Sequence, residues 1–315
     1  MSSTPSKVIN KPTKTQKTLR YLRNNYMLYL FLIPSLLYII IFCYGPMYGI
    51  QIAFKNFKAS KGIWGSQWVG LKHFTKFFGS YRFSLLVQNT LAISLYSLAV
   101  GFPIPIILAL MFNYVKSPAI KKFAQTVSYA PHFISTVVLV GMMQMFFSTT
   151  TGFINTGIAS LGFEKIHFFG EPQYFRHLYV WSGVWQSMGW SAVIYIASLA
   201  GVDQQQHEAA IIDGATILQR MWHVDLPALA PTIIILLILQ VGSLMSVGYE
   251  KVYLMQNATN LTTSEIISTY TYKVGLQDAQ YSYSAAIGLF NNVINFVLLV
   301  TVNTITKKLS GTALW

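Results

Sequence analysis

Charged residues are scarce in this sequence of 315 residues, because Asp, Glu, Lys and Arg together make up only 10% of it. Soluble domains carry about 25%, so these few charges cannot coat the surface of a water-soluble protein of this size. Cysteine occurs once, as Cys43, which excludes a disulfide framework and a cysteine metal site within the chain. The six scattered histidines form no HExxH or Cys/His cluster, so no metal site is predicted.

Apolar residues, 53% of the chain, are concentrated in long runs that carry no charge. A helix needs about 20 apolar residues to cross the hydrocarbon core of a bilayer. Six such runs predict transmembrane helices over residues 27–50, 88–113, 125–148, 178–200, 228–249 and 284–306. A transmembrane β-barrel would instead show alternating segments of about 10 residues. The predicted fold is all-α, a polytopic membrane protein with a tail over residues 1–26 and a transmembrane domain over residues 27–315.

Basic residues outnumber acidic ones by 22 to 9, and much of the excess lies beside the predicted helices. Positive charge next to a span favours the cytoplasmic side. Six spans put both termini on one side, and the basic segments then face the cytoplasm: the tail with Lys7, Lys11, Lys14, Lys17, Arg20 and Arg23, the loop 114–124 with Lys116, Lys121 and Lys122, and the C-terminus with Lys307 and Lys308. Loop 51–83 is also basic although it would lie outside, so the bias is imperfect.

The loop between the fourth and fifth predicted helices, residues 201–227, is the only inside loop with several acidic residues. Asp203 can cap a short helix, with Gln206 returning the hydrogen bond. Gly214 can end that helix in a left-handed conformation. The sequence therefore predicts a bend in the middle of the loop.

A second short helix follows the bend. Thr216 can begin it, with Gln219 completing a capping box, and Pro227 suits the first turn of the fifth span. Together the two short helices predict a helix–glycine–helix elbow that projects into the cytoplasm.

The elbow carries a recognisable motif. The run Glu208-Ala209-Ala210-x-x-Asp213-Gly214-Ala215, followed by Val224-Asp225-Leu226-Pro227, resembles the EAA loop of ABC importer permeases. That pattern is EAA, three residues, Gly, nine residues, Ile, one residue and Leu-Pro. The spacing matches throughout, and Val224 replaces the usual Ile. The motif is specific when it stands between two late spans.

Further segments extend the resemblance over most of the chain, to the maltose-type carbohydrate class and its polysaccharide/oligosaccharide (lipoprotein-B-like) permease subfamily. They are Ile33-Pro34-Ser35, Tyr44-Gly45-Pro46-Met47-Tyr48-Gly49, Trp68-Val69-Gly70, Ser128-Tyr129-Ala130-Pro131-His132-Phe133, Trp185-Gln186-Ser187-Met188-Gly189-Trp190 and Leu314-Trp315. The resemblance implies the type I ABC importer permease fold in the plasma membrane of a bacterium. It also implies a second homologous permease subunit, two ATPase subunits, and an extracellular lipoprotein that delivers an oligosaccharide.

The resemblance assigns the elbow to a groove on the ATPase subunit, where it acts as the coupling helix. The predicted coupling residues are Glu208, Ala209, Ala210, Asp213, Gly214, Met221, Trp222, Leu226 and Pro227. His207 and His223 are expected at the same contact. The chain has no GxxxxGK[ST] run, so ATP and magnesium are expected on the partner ATPase. This chain is then a transport subunit without a cofactor of its own, not an enzyme, and nucleic acid is not an expected partner.

Polar and aromatic residues within the later spans are candidates for the substrate pathway, since sugars bind by aromatic stacking and by hydrogen bonds from amides and hydroxyls. They are Trp185, Gln186, Trp190, Tyr195, Gln240, Ser243, Tyr249, Asn291, Asn292 and Asn295. Such residues can also join helices or anchor them at the membrane interface. No charge lies inside the predicted spans, which suits a neutral or weakly charged sugar, although basic loop residues could attract an acidic one.

Three alternatives stay open on sequence grounds. An ABC permease for another small solute would share the elbow. A secondary transporter or channel would work without an ATPase, but it offers no reason for the EAA spacing. A membrane enzyme would need reactive polar groups near one interface, and no nucleophile–base pair at a recognisable spacing is evident.

Overall fold

The computed structural model describes residues 21–315, so most of the predicted tail over residues 1–26 lies outside the described residues. The α-helices, in chain order, are α1 Tyr26–Tyr38, α2 Gly45–Met47, α3 Gly62–Gly65, α4 Lys72–Phe78, α5 Arg82–Gly101, α6 Pro103–Asn113, α7 Pro118–Tyr129, α8 Thr136–Phe146, α9 Phe153–Ser160, α10 Pro172–Leu199, α11 Gln204–Ile212, α12 Ile217–Arg220, α13 Leu226–Gly242, α14 Tyr249–Met255, α15 Leu261–Ser264, α16 Ile267–Tyr272 and α17 Tyr281–Ser310. Two short strands, β1 Lys55–Asn56 and β2 Gln67–Trp68, pair antiparallel, with Lys55 opposite Trp68. The described chain is thus mostly helical, as the all-α prediction requires.

Four helical segments of the described chain are both long and apolar enough to cross a bilayer. They are Tyr26–Phe54, Arg82–Asn113, Ile217–Gly242 and Tyr281–Ser310. They contain or overlap the first, second, fifth and sixth predicted spans.

Two of these segments contain a π-helical turn, and each turn has a local cause. Ile39–Tyr44 precedes Pro46, and Met221–Asp225 precedes Pro227. Proline lacks an N–H and crowds the preceding turn, so the helical hydrogen-bond ladder must shift there. Both segments therefore continue through their prolines as altered helices.

The third predicted span, 125–148, is not a straight helix. The chain forms α7 and α8 instead, bent by 98° at a short break. Pro131 lies in the 3-10 turn Ala130–Phe133 before the break, and the side chain of Ser135 caps α8 by accepting from the Val138 N–H at 3.3 Å. The predicted span is broken rather than continuous, because a proline and a good N-cap residue stand inside one apolar run.

The fourth predicted span, 178–200, lies within α10 except for its last residue, and α10 is the central helix of the fold. Its 28 residues extend about 42 Å, enough to cross a bilayer. At Gly189 the helix lies directly on Ser128 of α7, whose carbonyl oxygen occupies the place where any Cβ would stand. Gly189 thus brings α10 and α7 into backbone contact.

The fifth predicted span, 228–249, ends early, at Gly242. A Cβ on Gly242 would come within 2.5 Å of the Leu299 side chain, so the glycine lets α13 and α17 pack closely. Beyond it the side chain of Asn295 replaces the helical hydrogen bonds, accepting from the Met245 N–H at 2.9 Å and donating to Ser246 Oγ at 2.8 Å. The chain then folds back as α14, and Ser246 and Tyr249 leave the helix to which the sequence assigned them.

Three buried apolar clusters join these elements. One joins α5, α8, α10 and α14 and contains Phe175 and Val252. Another joins α4, α5, α16 and α17 around Phe77 and Ile287. The third joins α6, α10 and α13 around Leu229. Helix α10 takes part in two of the three, so it fixes the elbow end of the molecule relative to the opposite end.

Candidate functional site

The first arm of the elbow is α11, and its ends follow the local rules in most respects. Asp203 caps it by accepting from the Gln205 N–H at 2.9 Å, but the return bond expected from Gln206 is not formed. Gly214 has φ +79°, which confirms the left-handed conformation. The Ala215 N–H then donates to the Ala210 carbonyl at 2.9 Å, which closes the helix end and turns the chain.

The second arm begins at Thr216. The capping box is confirmed: the Gln219 N–H donates to Thr216 Oγ1 at 3.4 Å, and the Thr216 N–H donates to Gln219 Oε1 at 2.8 Å. This arm does not stop before the fifth span. It runs through the π-helical turn into α13, with Pro227 in the first turn of that helix. A displacement of the elbow is therefore transmitted directly to a membrane helix.

The tip of the elbow exposes apolar side chains. Ile212 is 85% exposed, Leu218 76% and Trp222 68%. Among the predicted coupling residues, the exposed ones are Glu208, Ala209, Asp213, Gly214, Trp222 and Pro227, while Ala210, Met221 and Leu226 are partly buried. Sequence reasoning did not single out Ile212 and Leu218, although both lie within the motif's variable positions. An apolar group of this kind on a projecting loop is typical of a surface that another protein covers.

The base of the elbow is fastened by a buried cluster around Asp225, which has no exposed surface. Its carboxylate accepts from Tyr114 Oη at 2.6 Å and from Asn113 Nδ2 at 3.4 Å, and it pairs with His207 Nε2 at 3.2 Å. Burial raises the pKa of Tyr114, and the bond to Asp225 raises it further, so the phenol stays a donor.

This cluster corrects one expectation. His207 is buried against Asp225 rather than presented on the surface of the elbow, while His223 is exposed. The reason is the i to i+18 pairing of His207 with Asp225, which no local pattern reveals.

A cavity of about 720 Å³ lies between α5, α6, α10, α13 and α14. Four of the predicted pathway residues line it: Gln186, Tyr195, Gln240 and Ser243. The structure adds polar groups that the sequence prediction missed, namely Ser97, Tyr179, Ser191 and Lys251. Hydroxyls, amides and aromatic rings around one cavity are the groups that bind sugars.

The predicted aromatic residues outside this lining have other neighbours. Trp185 lines a separate apolar cavity of about 370 Å³. Trp190 stacks on His132 with ring centroids 4.7 Å apart. Tyr249 packs against Tyr253 and Tyr272.

The three predicted asparagines of α17 also lie outside the lining. Asn295 is buried and holds the chain beyond α13, as described above. Asn292 is exposed, and the buried Oδ1 of Asn291 has no hydrogen-bond partner within residues 21–315. Their common helical face was visible in the sequence, but the break after Gly242, which determines what that face meets, was not.

Comparison with known proteins gives consistent matches along the chain. Residues 101–311 match the family described as binding-protein-dependent transport system inner membrane component. Protein LplB of Bacillus subtilis (strain 168) is 45% identical over 287 residues, covering 91% of this chain and 90% of LplB. The polygalacturonan/rhamnogalacturonan transport system permease protein YteP of the same organism is 43% identical over 301 residues, covering 96% of this chain and 94% of YteP.

A solved structure has the same fold. In the crystal structure of a bacterial alginate ABC transporter in complex with alginate pentasaccharide-bound periplasmic protein, one chain matches with a TM-score of 0.87 and 35% identity. The match covers 94% of this chain and 99% of that one. The long match to the family and the relatives of high identity lead to one conclusion: this chain belongs to the binding-protein-dependent transport system inner membrane components, the membrane permeases of ABC importers.

Proposed function

We propose that this chain is the permease subunit of an ATP-driven importer that moves an oligosaccharide across the membrane. The observation that carries the proposal is the elbow, which presents uncovered apolar side chains at its tip and continues without interruption into α13. A partner that pushes on the tip would therefore move a wall of the cavity, since α13 supplies Gln240 to its lining.

The elbow suits an ATPase groove in chemistry as well as in shape. Fully burying a side chain such as Leu or Ile stabilises a contact by roughly 1.5–3 kcal/mol, and Trp is favoured at interface hot spots. Glu208 makes no ion pair within residues 21–315, so its carboxylate is available for a basic residue of the partner.

The cavity and the relatives both support an oligosaccharide as the substrate. The cavity presents hydroxyl, amide and tyrosine groups, and YteP is named for polygalacturonan and rhamnogalacturonan transport. The solved alginate transporter was crystallised with an alginate pentasaccharide on its periplasmic protein. We extend this substrate class to the present chain.

An importer permease of this family works with a substrate-binding protein. The finer assembly is part of our proposal: a second homologous permease, two ATPase subunits that bind ATP and magnesium, and an extracellular lipoprotein that delivers the sugar. The complex lies in the plasma membrane of a bacterium, with both termini of this chain in the cytoplasm.

The test is whether the elbow holds the ATPase. A Leu218→Glu variant places a charge where an apolar anchor is required. We expect the ATPase subunit that co-purifies with the wild-type complex in detergent to be lost, and ATP-dependent oligosaccharide uptake into proteoliposomes to fall by at least about tenfold, since a buried unpaired charge costs more than 1.4 kcal/mol.

Leu161→Glu is the matched control, because Leu161 is also 76% exposed but lies in the loop after α9, far along the chain from the elbow. It should leave both measurements unchanged. Retention of the ATPase by Leu218→Glu, or uptake that needs no ATPase, would contradict the proposal.

A further inference from the structure

A lysine lies in the wall of the cavity, where the sequence predicted no charge. Lys251 is on α14, the helix that folds back after the break at Gly242. Val252 and Met255 of the same helix are buried in the cluster with Phe175 and Leu178. Because these neighbours fix α14 against α10, the position of Lys251 is set by packing rather than by a flexible loop.

The ammonium group of Lys251 is held in place by α10. Its Nζ donates to the Tyr179 carbonyl at 2.9 Å and lies 4.8 Å from the centroid of the Tyr179 ring. It also lies 3.3 Å from the place where a Cβ on Gly183 would stand, so the glycine leaves room for it. An ammonium has three N–H donors, and one of them is used in this way.

The charge of Lys251 is not neutralised within the described chain. The ion pairs found in residues 21–315 join Arg82 or Lys273 to Glu265, and His207 to Asp225. No acidic residue is among those that line the cavity, and Lys251 is the single charged one there. A partly buried charge without a counterion is costly, so its presence in a wall of hydroxyls and amides indicates a ligand that brings the opposite charge.

From this geometry we infer that Lys251 binds a carboxylate of the transported oligosaccharide, which makes it the residue that selects acidic, uronate-type sugars. The inference rests on the proposed function of this cavity. A single ammonium without a second cation matches a monoanion better than a phosphate dianion. Gln186, Gln240 and Ser243 offer hydrogen bonds to the neighbouring sugar hydroxyls.

The experiment compares three oligosaccharides of equal length: one with carboxylates, its carboxyl-reduced neutral form, and a phosphorylated neutral one. Uptake into proteoliposomes is measured with the complete complex, at concentrations that saturate the binding protein for each sugar, so that the binding protein does not set the ratio. We expect the wild type to favour the carboxylated sugar over both others. Equal uptake of the acidic and neutral forms, or a preference for the phosphorylated sugar, would overturn the inference.

Variants of Lys251 test whether this residue causes the preference for the carboxylated sugar. Lys251→Met and Lys251→Gln should lower the ratio of acidic to neutral uptake by at least about tenfold, the effect of losing one charge-assisted hydrogen bond. Lys251→Arg should keep most of the ratio. Lys165→Met, at an exposed lysine of the loop before α10, is the matched control and should leave it unchanged.

The outcomes separate this inference from the proposed function. An unchanged ratio in Lys251→Met and Lys251→Gln, with ATP-driven uptake intact, would overturn the role of Lys251 and leave the importer standing. Failure of the wild-type complex to take up any of the three sugars would instead overturn the oligosaccharide function. If a neutral variant does not assemble, equal uptake of the acidic and neutral sugars by the wild type would still overturn the inference, and Lys251→Arg remains as the variant that should keep the preference.

Discussion

A single carboxylate, Asp225, connects the elbow to two other parts of the chain. It is fully buried, and its oxygens are satisfied by His207 at the start of α11 and by Tyr114 at the end of α6. A buried charge is tolerated only when its partners stay in place. The two arms of the elbow and the end of α6 must therefore move as one unit, which suits an element that passes force from a partner to the cavity.

Removal of this carboxylate should loosen the elbow without unfolding the spans. Asp225→Ala leaves the Tyr114 hydroxyl and His207 without their acceptor, at a cost of about 3 kcal/mol. We expect a lower unfolding midpoint for the purified complex, together with more ATP hydrolysed for each sugar transported. The control is Asp278→Ala, at an exposed aspartate after α16, which should behave as wild type. A normal ratio of hydrolysis to transport in Asp225→Ala would show that the cluster plays no part in coupling.

At the scale of elements, local rules were sufficient wherever neighbours in sequence decide the conformation. Gly214 and the Thr216–Gln219 capping box could be predicted because each depends on backbone groups within a few residues. The break after Gly242 could not, since it depends on Leu299 and Asn295 of a distant helix. The position of Lys251 follows from that break, so the charge in the cavity was hidden from sequence reasoning as well.

The left-handed turn at Gly214 gives a test of the element. A Cβ there would meet no neighbour within 4 Å, so any effect of substitution comes from the backbone alone. For most residues with a Cβ this left-handed conformation costs roughly 1–2 kcal/mol, but Asn adopts it more readily than the others. We expect ATP-driven uptake to fall in Gly214→Val and to stay near the wild-type rate in Gly214→Asn.

The matched control for this series is Gly157→Val, in α9, where a Cβ also meets no neighbour and φ is not positive. It should retain uptake. Equal loss in Gly214→Asn and Gly214→Val would mean that the turn needs the absence of a side chain for contact with the partner rather than for its backbone conformation.

At the scale of the whole molecule, the number of crossings decides which loops share a side of the membrane. Four segments are long and apolar enough to cross by composition, and the bent pair α7–α8 can form a fifth crossing. Helix α10 is long enough to be a sixth but is less apolar than these segments. If α7–α8 crosses, Lys116 and Lys165 lie on opposite sides. If α10 crosses, Lys165 and Leu218 also lie on opposite sides of the membrane. Each crossing therefore has its own pair of reporters.

Cysteine labelling shows on which side of the membrane each of these positions lies. Cys43 is the one cysteine in the sequence, and a Cys43→Ser background removes it, so that only the introduced cysteine is labelled. We expect an impermeant maleimide to label Lys165→Cys in intact cells, and Lys116→Cys and Leu218→Cys only after the membrane is opened, since all three positions are exposed in the structure. Positive charge near Lys116 favours this orientation. Labelling of Lys116→Cys and Lys165→Cys from the same side would mean that α7–α8 turns back within the membrane. Labelling of Leu218→Cys from outside would place the elbow away from ATP and contradict its role in coupling.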